Sequence, residues 1–303
     1  MAALAAVVDR ARTGVSALSP SPERFVDLHM HSTASDGAHS PTEVVERSAA
    51  AGLAAISLTD HDSLDGVPEA ILAGERLGVR VVAGCEFSVQ ATWGEMHLLG
   101  YFLPLDWLEL DEFLVRTRAD RSRRGAEMVD KLRALGHDLT LEDVLQESAG
   151  GAIGRPHVAR ALVRKGIATG QQDAFDRFIG WGRPGHVGKQ LPAFKDVAAL
   201  VHRGGGLVSA AHLRDRGSRS VLAALKAEGL DAVETRHPVH DPNTCGRLTA
   251  FAQALGLLTT GGSDWHGDEG VHHPGGSLGG QHIPYDWLDR LERARPVGNS
   301  GAA

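Results

Sequence analysis

The segment Phe25-Val26-Asp27-Leu28-His29-Met30-His31 closes an apolar, strand-like run with two histidines one residue apart. Successive strand residues point to opposite faces, so the imidazoles of His29 and His31 project the same way. Asp264-Trp265-His266 repeats that spacing with a carboxylate and an imidazole. Two such groups aimed at one point make half of a metal shell. Asp36 follows five residues after His31, and Thr59-Asp60-His61-Asp62 and Gly84-Cys85-Glu86 end two further strand-like segments. If one end of a sheet carries all four clusters, they form a multinuclear metal site, the equipment of a metallohydrolase. The donors are nitrogen and oxygen without thiolate, which suits manganese, iron or zinc.

Other residues are ambiguous on their own. Glu86 ends an apolar strand, where an unpaired carboxylate is costly. His97, in Met96-His97-Leu98-Leu99, reads by itself as a core histidine, and His212 is similar. Asp36 fits a turn before Gly37 as well as a metal. Asp60 is placed to orient an imidazole, while Asp62 is balanced between that kind of role and capping the next turn. The basic run Arg116–Arg124 reads as a solvated helix face.

Strands must position these groups, and the chain alternates accordingly. Strands are expected at 25–28, 54–58, 80–86, 95–101, 207–210, 232–234 and 257–261. Helices intervene, the first with Ser40 as N-cap, Pro41 in the first turn and Glu43 three residues after the cap. This βαβ rhythm implies a largely parallel sheet. Between 104 and 192 it gives way to helices punctuated by Gly and Pro. The expected architecture is α/β: a distorted seven-stranded β/α barrel built from 23–103 and 193–295. It carries an inserted, mostly helical subdomain at 104–192, a flexible leader at 1–22 and a disordered tail at 296–303. Barrels of this kind place chemistry at the carboxyl ends of their strands, where the clusters fall.

The 303 residues are 42% apolar, enough for a large core, and the net charge of -7 argues against duplex DNA as a partner. Two cysteines outside any CxxC pair fit a reducing, cytoplasmic compartment. No apolar run approaches the roughly 20 residues that span a bilayer, and the first 22 residues do not read as a signal peptide. The chain has no GxxxxGK[ST] loop and no GxSxG elbow, and Gly204–Gly206 precede a strand rather than a helix.

Taken together, His29-Met-His31, Ser35-Asp36-Gly37, Thr59-Asp60-His61-Asp62, Glu86, His97, Ala211-His212 and Gly262-Ser263-Asp264-Trp265-His266-Gly267 resemble the PHP (polymerase and histidinol phosphatase) family over about 25–267. Leu213 stands where that pattern has proline. The resemblance implies a barrel with a di- or trinuclear site of divalent transition metals, manganese first among them, that hydrolyses phosphoesters. One metal would lie on His29, His31, Glu86 and Asp264, a second on Glu86, His97 and His212, and a third on Asp36, His61 and His266. Gly154-Arg155-Pro156-His157 and Glu234-Thr235-Arg236-His237-Pro238 are similar to the branch containing 3′,5′-nucleoside bisphosphate phosphatases and 5′→3′ exoribonucleases on short RNA. That branch implies Arg155, His157, Lys189 and His237 as substrate-facing residues, His237 also being a candidate acid. The expected partner is a phosphorylated nucleotide or an RNA 5′ end. A histidinol-phosphatase-like activity, or a metal-binding accessory domain without turnover, are the alternatives.

Overall fold

In a computed structural model of the chain, residues 24–148, 153–267 and 276–296 are described. The predicted leader, most of the tail, and His272 and His273 lie outside them. Eight strands form one sheet: β1 (Phe25–Met30), β2 (Leu53–Leu58), β3 (Arg80–Ala91), β4 (Gly94–Tyr101), β5 (Leu207–Ala210), β6 (Ala232–Arg236), β7 (Leu258–Gly261) and β8 (Ile283–Pro284). Their order is β7-β6-β5-β4-β3-β2-β1-β8. The sheet curls until the chain beyond β7 meets β1. His31 N–H donates to Trp265 C=O at 2.9 Å and Asp264 N–H to His29 C=O at 2.8 Å. A Cβ on Gly262 would lie 2.4 Å from His29 Cβ, so this closure needs glycine there.

Helices cover the barrel: α1 (Pro41–Ala50), α2 (Val67–Leu77), α7 (Phe194–Arg203), α8 (Arg219–Ala227), α9 (Pro242–Leu255) and α10 (Tyr285–Ala294). Between β4 and α7 stand α3 (Leu108–Ala134), α4 (Leu141–Ser148), α5 (Arg155–Arg164) and α6 (Gln171–Ala174). The capping box at α1 forms as its sequence dictates, with Ser40 N–H donating to Glu43 Oε2 at 2.8 Å and Glu43 N–H to Ser40 Oγ at 3.3 Å. Ser218 and Asp241 cap α8 and α9 through their side chains alone, accepting from Val221 N–H and Thr244 N–H.

The sheet is largely parallel as expected, with an eighth strand and with β4 reversed. β3 runs on past Glu86 to Ala91 and turns back into β4 through Thr92 and Trp93. A two-residue link cannot make a parallel crossover, so β3 and β4 pair antiparallel, as do β4 and β5. Because β4 is reversed, its beginning lies at the end of the barrel where the parallel strands finish. His97 therefore pairs with Ser88 and shares a face with Glu86. The eighth strand, too short for a period, pairs antiparallel with β1.

The apolar residues form separate clusters. Phe87, Leu98, Phe194, Val208, Leu222 and Leu248 lie between the sheet and its helices, while Leu28, Leu99, Tyr101 and Leu207 belong to another cluster with α10. Met128, Leu132, Leu139, Val144, Val158, Leu162 and Phe178 form a cluster of their own among the helices that follow β4. Helix α3 serves both regions, with Leu110 and Leu114 in the barrel cluster and Met128, Val129 and Leu132 in the other.

Candidate metal centre and active site

Glu86 is the hub. It is 1% exposed, and five imidazoles converge on its two oxygens. His29 Nε2, His31 Nε2 and His61 Nδ1 lie 3.3, 3.2 and 3.2 Å from Oε2. His97 Nδ1 and His212 Nε2 lie 2.8 and 3.0 Å from Oε1. Asp264 Oδ1 completes a quartet, 3.3 Å from His29 Nε2 and 3.1 Å from His31 Nε2. Donors bound about 2.0–2.1 Å from a tetrahedral ion stand about 3.3–3.4 Å apart, so this quartet has the edge length of a metal shell. A second group joins Asp36 to His266 Nε2 at 3.3 Å, with His31 Nδ1 and His61 Nε2 each 3.9 Å from the same carboxylate.

Several of these close contacts are not hydrogen bonds. His29 Nε2, His31 Nδ1, His61 Nδ1, Glu86 Oε2 and His97 Nδ1 are buried with no hydrogen-bond partner among the described residues. Buried polar atoms are normally satisfied, and these exceptions, four at Glu86 and His31 Nδ1 facing Asp36, fit atoms placed to share cations. The electrostatics agree. Burial opposes charge on His31, yet the carboxylates of Asp264 and Glu86, 3.1 and 3.2 Å from its Nε2, raise it to about 10. Burial likewise disfavours charged His97, and Glu86 and Glu95 outweigh it to bring that ring to about 9. The carboxylates hold protons on imidazoles that a divalent ion would displace. The residues present therefore fit a divalent metal cluster.

The backbone around the centre is strained to hold this arrangement. His212 and Asp264, with φ of 30° and 51°, are non-glycine residues in the left-handed region. The remainder of the scaffold is polar and buried. Glu234 Oε1 accepts from His29 Nδ1 at 3.0 Å and Oε2 from His212 N–H at 2.8 Å, so one carboxylate orients two candidate ligands. Nothing in the periodicity of β6 distinguished Glu234; the carboxylate within an apolar strand was its one available signal. Asp60 does not orient an imidazole. It accepts from Ser32 N–H and from the hydroxyls of Ser32 and Ser35, and so shapes the loop that carries Asp36. Asp62 accepts from Ser88 N–H at 3.1 Å and from Arg121 Nε at 2.7 Å.

All nine predicted metal ligands thus meet at one end of the barrel. His29, His31, Glu86 and Asp264 group as expected, and Asp36, His61 and His266 do so with His31 added, while His61 rather than His212 stands with Glu86 and His97. Above them a cavity of about 570 Å³ is lined by Asp36, His61, Glu86, His97, His212 and Asp264 on the barrel side, with Arg121, Arg124, Arg155 and Lys189 facing them. An adjoining cavity of about 830 Å³ shares Arg124, Arg155, Lys189 and His212, and extends to Trp93 and Trp181.

Arg155 and Lys189 reach the cavity as predicted for substrate contacts, but His157 and His237 do not line it. His157 Nδ1 accepts from Gly154 N–H at 2.8 Å, and burial together with Arg160 pushes its pKa down to about 4. It is the neutral cap of α5. His237 is 1% exposed, with Nε2 3.4 Å from Asp264 Oδ2, behind the centre rather than above it. The basic face of α3 is a correction in the opposite direction, because Arg121 and Arg124 are buried at 7% and 3% exposure. Arg121 is held against Asp62 and Ser88 of the barrel, contacts that the sequence of α3 cannot disclose.

A PHP domain family model matches residues 27–233, more than half of the chain. The chain is 31% identical over 245 residues to a 5′-3′ exoribonuclease of Haemophilus influenzae, covering 79% of this chain and 89% of that protein. It is 32% identical over 250 residues to a 3′,5′-nucleoside bisphosphate phosphatase of Chromobacterium violaceum, covering 80% and 87%. Among solved structures, one from Bifidobacterium adolescentis, assigned to the metal-dependent phosphoesterases, superposes with a TM-score of 0.82 at 30% identity, covering 93% of this chain and 99% of that one. Sequence match, barrel and ligand cluster agree, and the chain belongs to the PHP domain family.

Proposed function

We propose that this metal-dependent phosphoric ester hydrolase removes the 3′-phosphate of 3′,5′-nucleoside bisphosphates such as adenosine 3′,5′-bisphosphate. The observation that carries the reading is the cavity itself, which sets a cluster of imidazoles and carboxylates opposite Arg155 and Lys189. One wall suits a reacting phosphoryl group and the other a second phosphate. The bisphosphate phosphatase of C. violaceum and the exoribonuclease of H. influenzae both resemble the chain at similar identity.

His29, His31, Glu86 and Asp264 would hold one divalent metal, Glu86 with His61, His97 and His212 a second, and Asp36, His61 and His266 a third; manganese, iron and zinc all suit these donors. Such ions supply Lewis acidity, bring the pKa of water toward neutrality and neutralise charge on the phosphoryl oxygens. The chain's own residues do the positioning. Glu234 fixes the tautomer of His29 by accepting from Nδ1. Arg155 offers a planar fork to phosphate and Lys189 a point charge. Held at that wall, the nucleotide presents its other phosphorus to the imidazole cluster, and remote binding energy is spent on orientation. The leaving group is an alkoxide that takes up a proton as it departs.

A second reading, 5′→3′ hydrolysis of short RNA, is favoured by the adjoining cavity. Its additional 830 Å³ and the exposed Trp181 give room and a flat surface for a further nucleotide. Phosphate release from adenosine 3′,5′-bisphosphate, adenosine 3′- and 5′-monophosphates and 5′-phosphorylated RNA trimers, measured with added manganese, separates the two. Preferred turnover of the bisphosphate supports the first reading. Mononucleotide release from the trimer with an inert bisphosphate replaces it by the second.

A further inference from the structure

Glu95 and His97 stand two residues apart on β4, so their side chains share one face of the strand. The hairpin register sets His97 opposite Ser88 and Glu95 opposite Gln90, beyond Glu86 along β3. The His97 ring lies between two carboxylates. Its Nδ1 is 2.8 Å from Glu86 Oε1, and its Nε2 is 3.3 Å from Glu95 Oε1. Nδ1 therefore faces the imidazole cluster. Nε2 faces Glu95, which belongs to none of the candidate ligand groups.

A neutral imidazole keeps one proton and offers one lone pair, so the nitrogen that holds the proton decides which edge can bind a cation. An acceptor at Nε2 puts the proton there and leaves the lone pair on Nδ1, the atom aimed at Glu86. His29 follows the same logic, with Nδ1 held by Glu234 and Nε2 facing Glu86. So does His266, with Nδ1 2.8 Å from the Asp264 carbonyl and Nε2 facing Asp36. Glu95 differs from Glu234 in exposure, 27% against 0%, and a glutamate open to water needs holding. Two cations do so. Lys189 pairs with Oε1, and Arg155 Nη2 lies 4.0 Å from Oε2. Lys189 is itself anchored, donating to Ser88 Oγ at 3.2 Å, while Gln90 N–H donates to Pro192 C=O at 2.8 Å and fastens the same segment to the end of β3.

We propose that Glu95 is the positioning residue of His97: it holds the proton on Nε2, so that Nδ1 is free to share a divalent metal with Glu86. Lys189 and Arg155 keep the carboxylate at that task, and through it the segment leading into α7 is tied to one metal position of the barrel. This role rests on the metal centre and not on the choice of substrate.

The test titrates cobalt(II) into the metal-free full chain, with no phosphoester present, and follows its visible absorption, which reports the donors around the ion. Glu95→Ala should weaken one cobalt position about ten- to a hundredfold and change the spectrum. Glu95→Gln keeps an acceptor oxygen for Nε2–H and should bind within about threefold of wild type. Mere loss of negative charge beside the cluster would weaken both variants alike. In a His97→Ala background, Glu95→Ala should add less than about twofold, because the residue through which it acts is gone. Glu95 belongs to none of the apolar clusters, so circular dichroism should stay native throughout. Equal cobalt binding by wild type and Glu95→Ala overturns the proposal, as does an equal loss in the Gln and Ala variants, or additive losses from Glu95→Ala and His97→Ala. A wild-type chain that takes up no cobalt overturns the metal centre itself and this role with it. None of these results depends on which phosphoester is cleaved, so the nucleotide reading is tested separately.

Discussion

Glu86→Gln is the sharpest test of the metal centre, because one carboxylate touches five imidazoles at 2.8–3.3 Å. The amide has nearly the same shape but no charge, and one oxygen becomes a donor that cannot bind a cation. Losing a single residue that merely orients a ligand typically costs ten- to a hundredfold in metal affinity. Glu86 sits in two of the candidate ligand groups, so the loss should exceed about a hundredfold, or about 2.7 kcal/mol, at each. Turnover should fall at least as far. The substitution also removes charge that helps hold protons on His31 and His97 at about 10 and about 9. Metal uptake near pH 7.5 should therefore release fewer protons than in wild type. Elemental analysis after gel filtration, turnover with excess manganese, and calorimetry in buffers of different ionisation enthalpy read these three effects. The apolar clusters do not include Glu86, so circular dichroism should stay native. Near-normal metal content and rate in a folded Glu86→Gln protein would refute the bridging role.

Three further outcomes are expected. Glu234→Gln should leave the fold intact and lower metal affinity and kcat by about ten- to a hundredfold, because the amide has one acceptor oxygen where His29 Nδ1–H and the His212 N–H need two, and it loses the charge; unchanged kinetics would remove Glu234 from the site. Arg155→Ala should cost about 1.5–3 kcal/mol in kcat/KM on substrates with two phosphates, and much less on an aryl phosphate, so equal losses on both would place Arg155 at the reacting group or in folding. Burial, joined by the charge of Arg121, pushes Lys189 down to about 8 against the opposing pull of Glu95. A lysine is charged below its pKa, so kcat/KM for the bisphosphate should decline as pH rises through about 8, and Lys189→Arg should remove that limb; a limb unchanged in Lys189→Arg would assign it to another group.

Local chemistry wrote much of this protein into its sequence. His29 and His31 must share a face because strand side chains alternate. Ser40 and Glu43 must start a helix because each satisfies the other's backbone donor. Seven of the nine metal-ligand candidates were recognisable by type, spacing and position at strand ends, while His97 and His212, which alone read as core histidines, came from the family resemblance; the structure brings all nine together. What the chain folds over was not legible. Arg121 and Arg124 occupy a helix face whose own pattern reads as solvated, and only the tertiary structure buries them, Arg121 against Asp62 and Ser88. The reversal of β4 followed from a two-residue link that is visible only once β3 is known to run to Ala91. Glu234 looked like any acid in a strand until closure of the barrel brought its carboxylate to His29, some 205 residues earlier. Alternation and capping act over a few residues and can be read from them. Burial and charge pairing depend on which distant segments meet, and only the tertiary structure decides that.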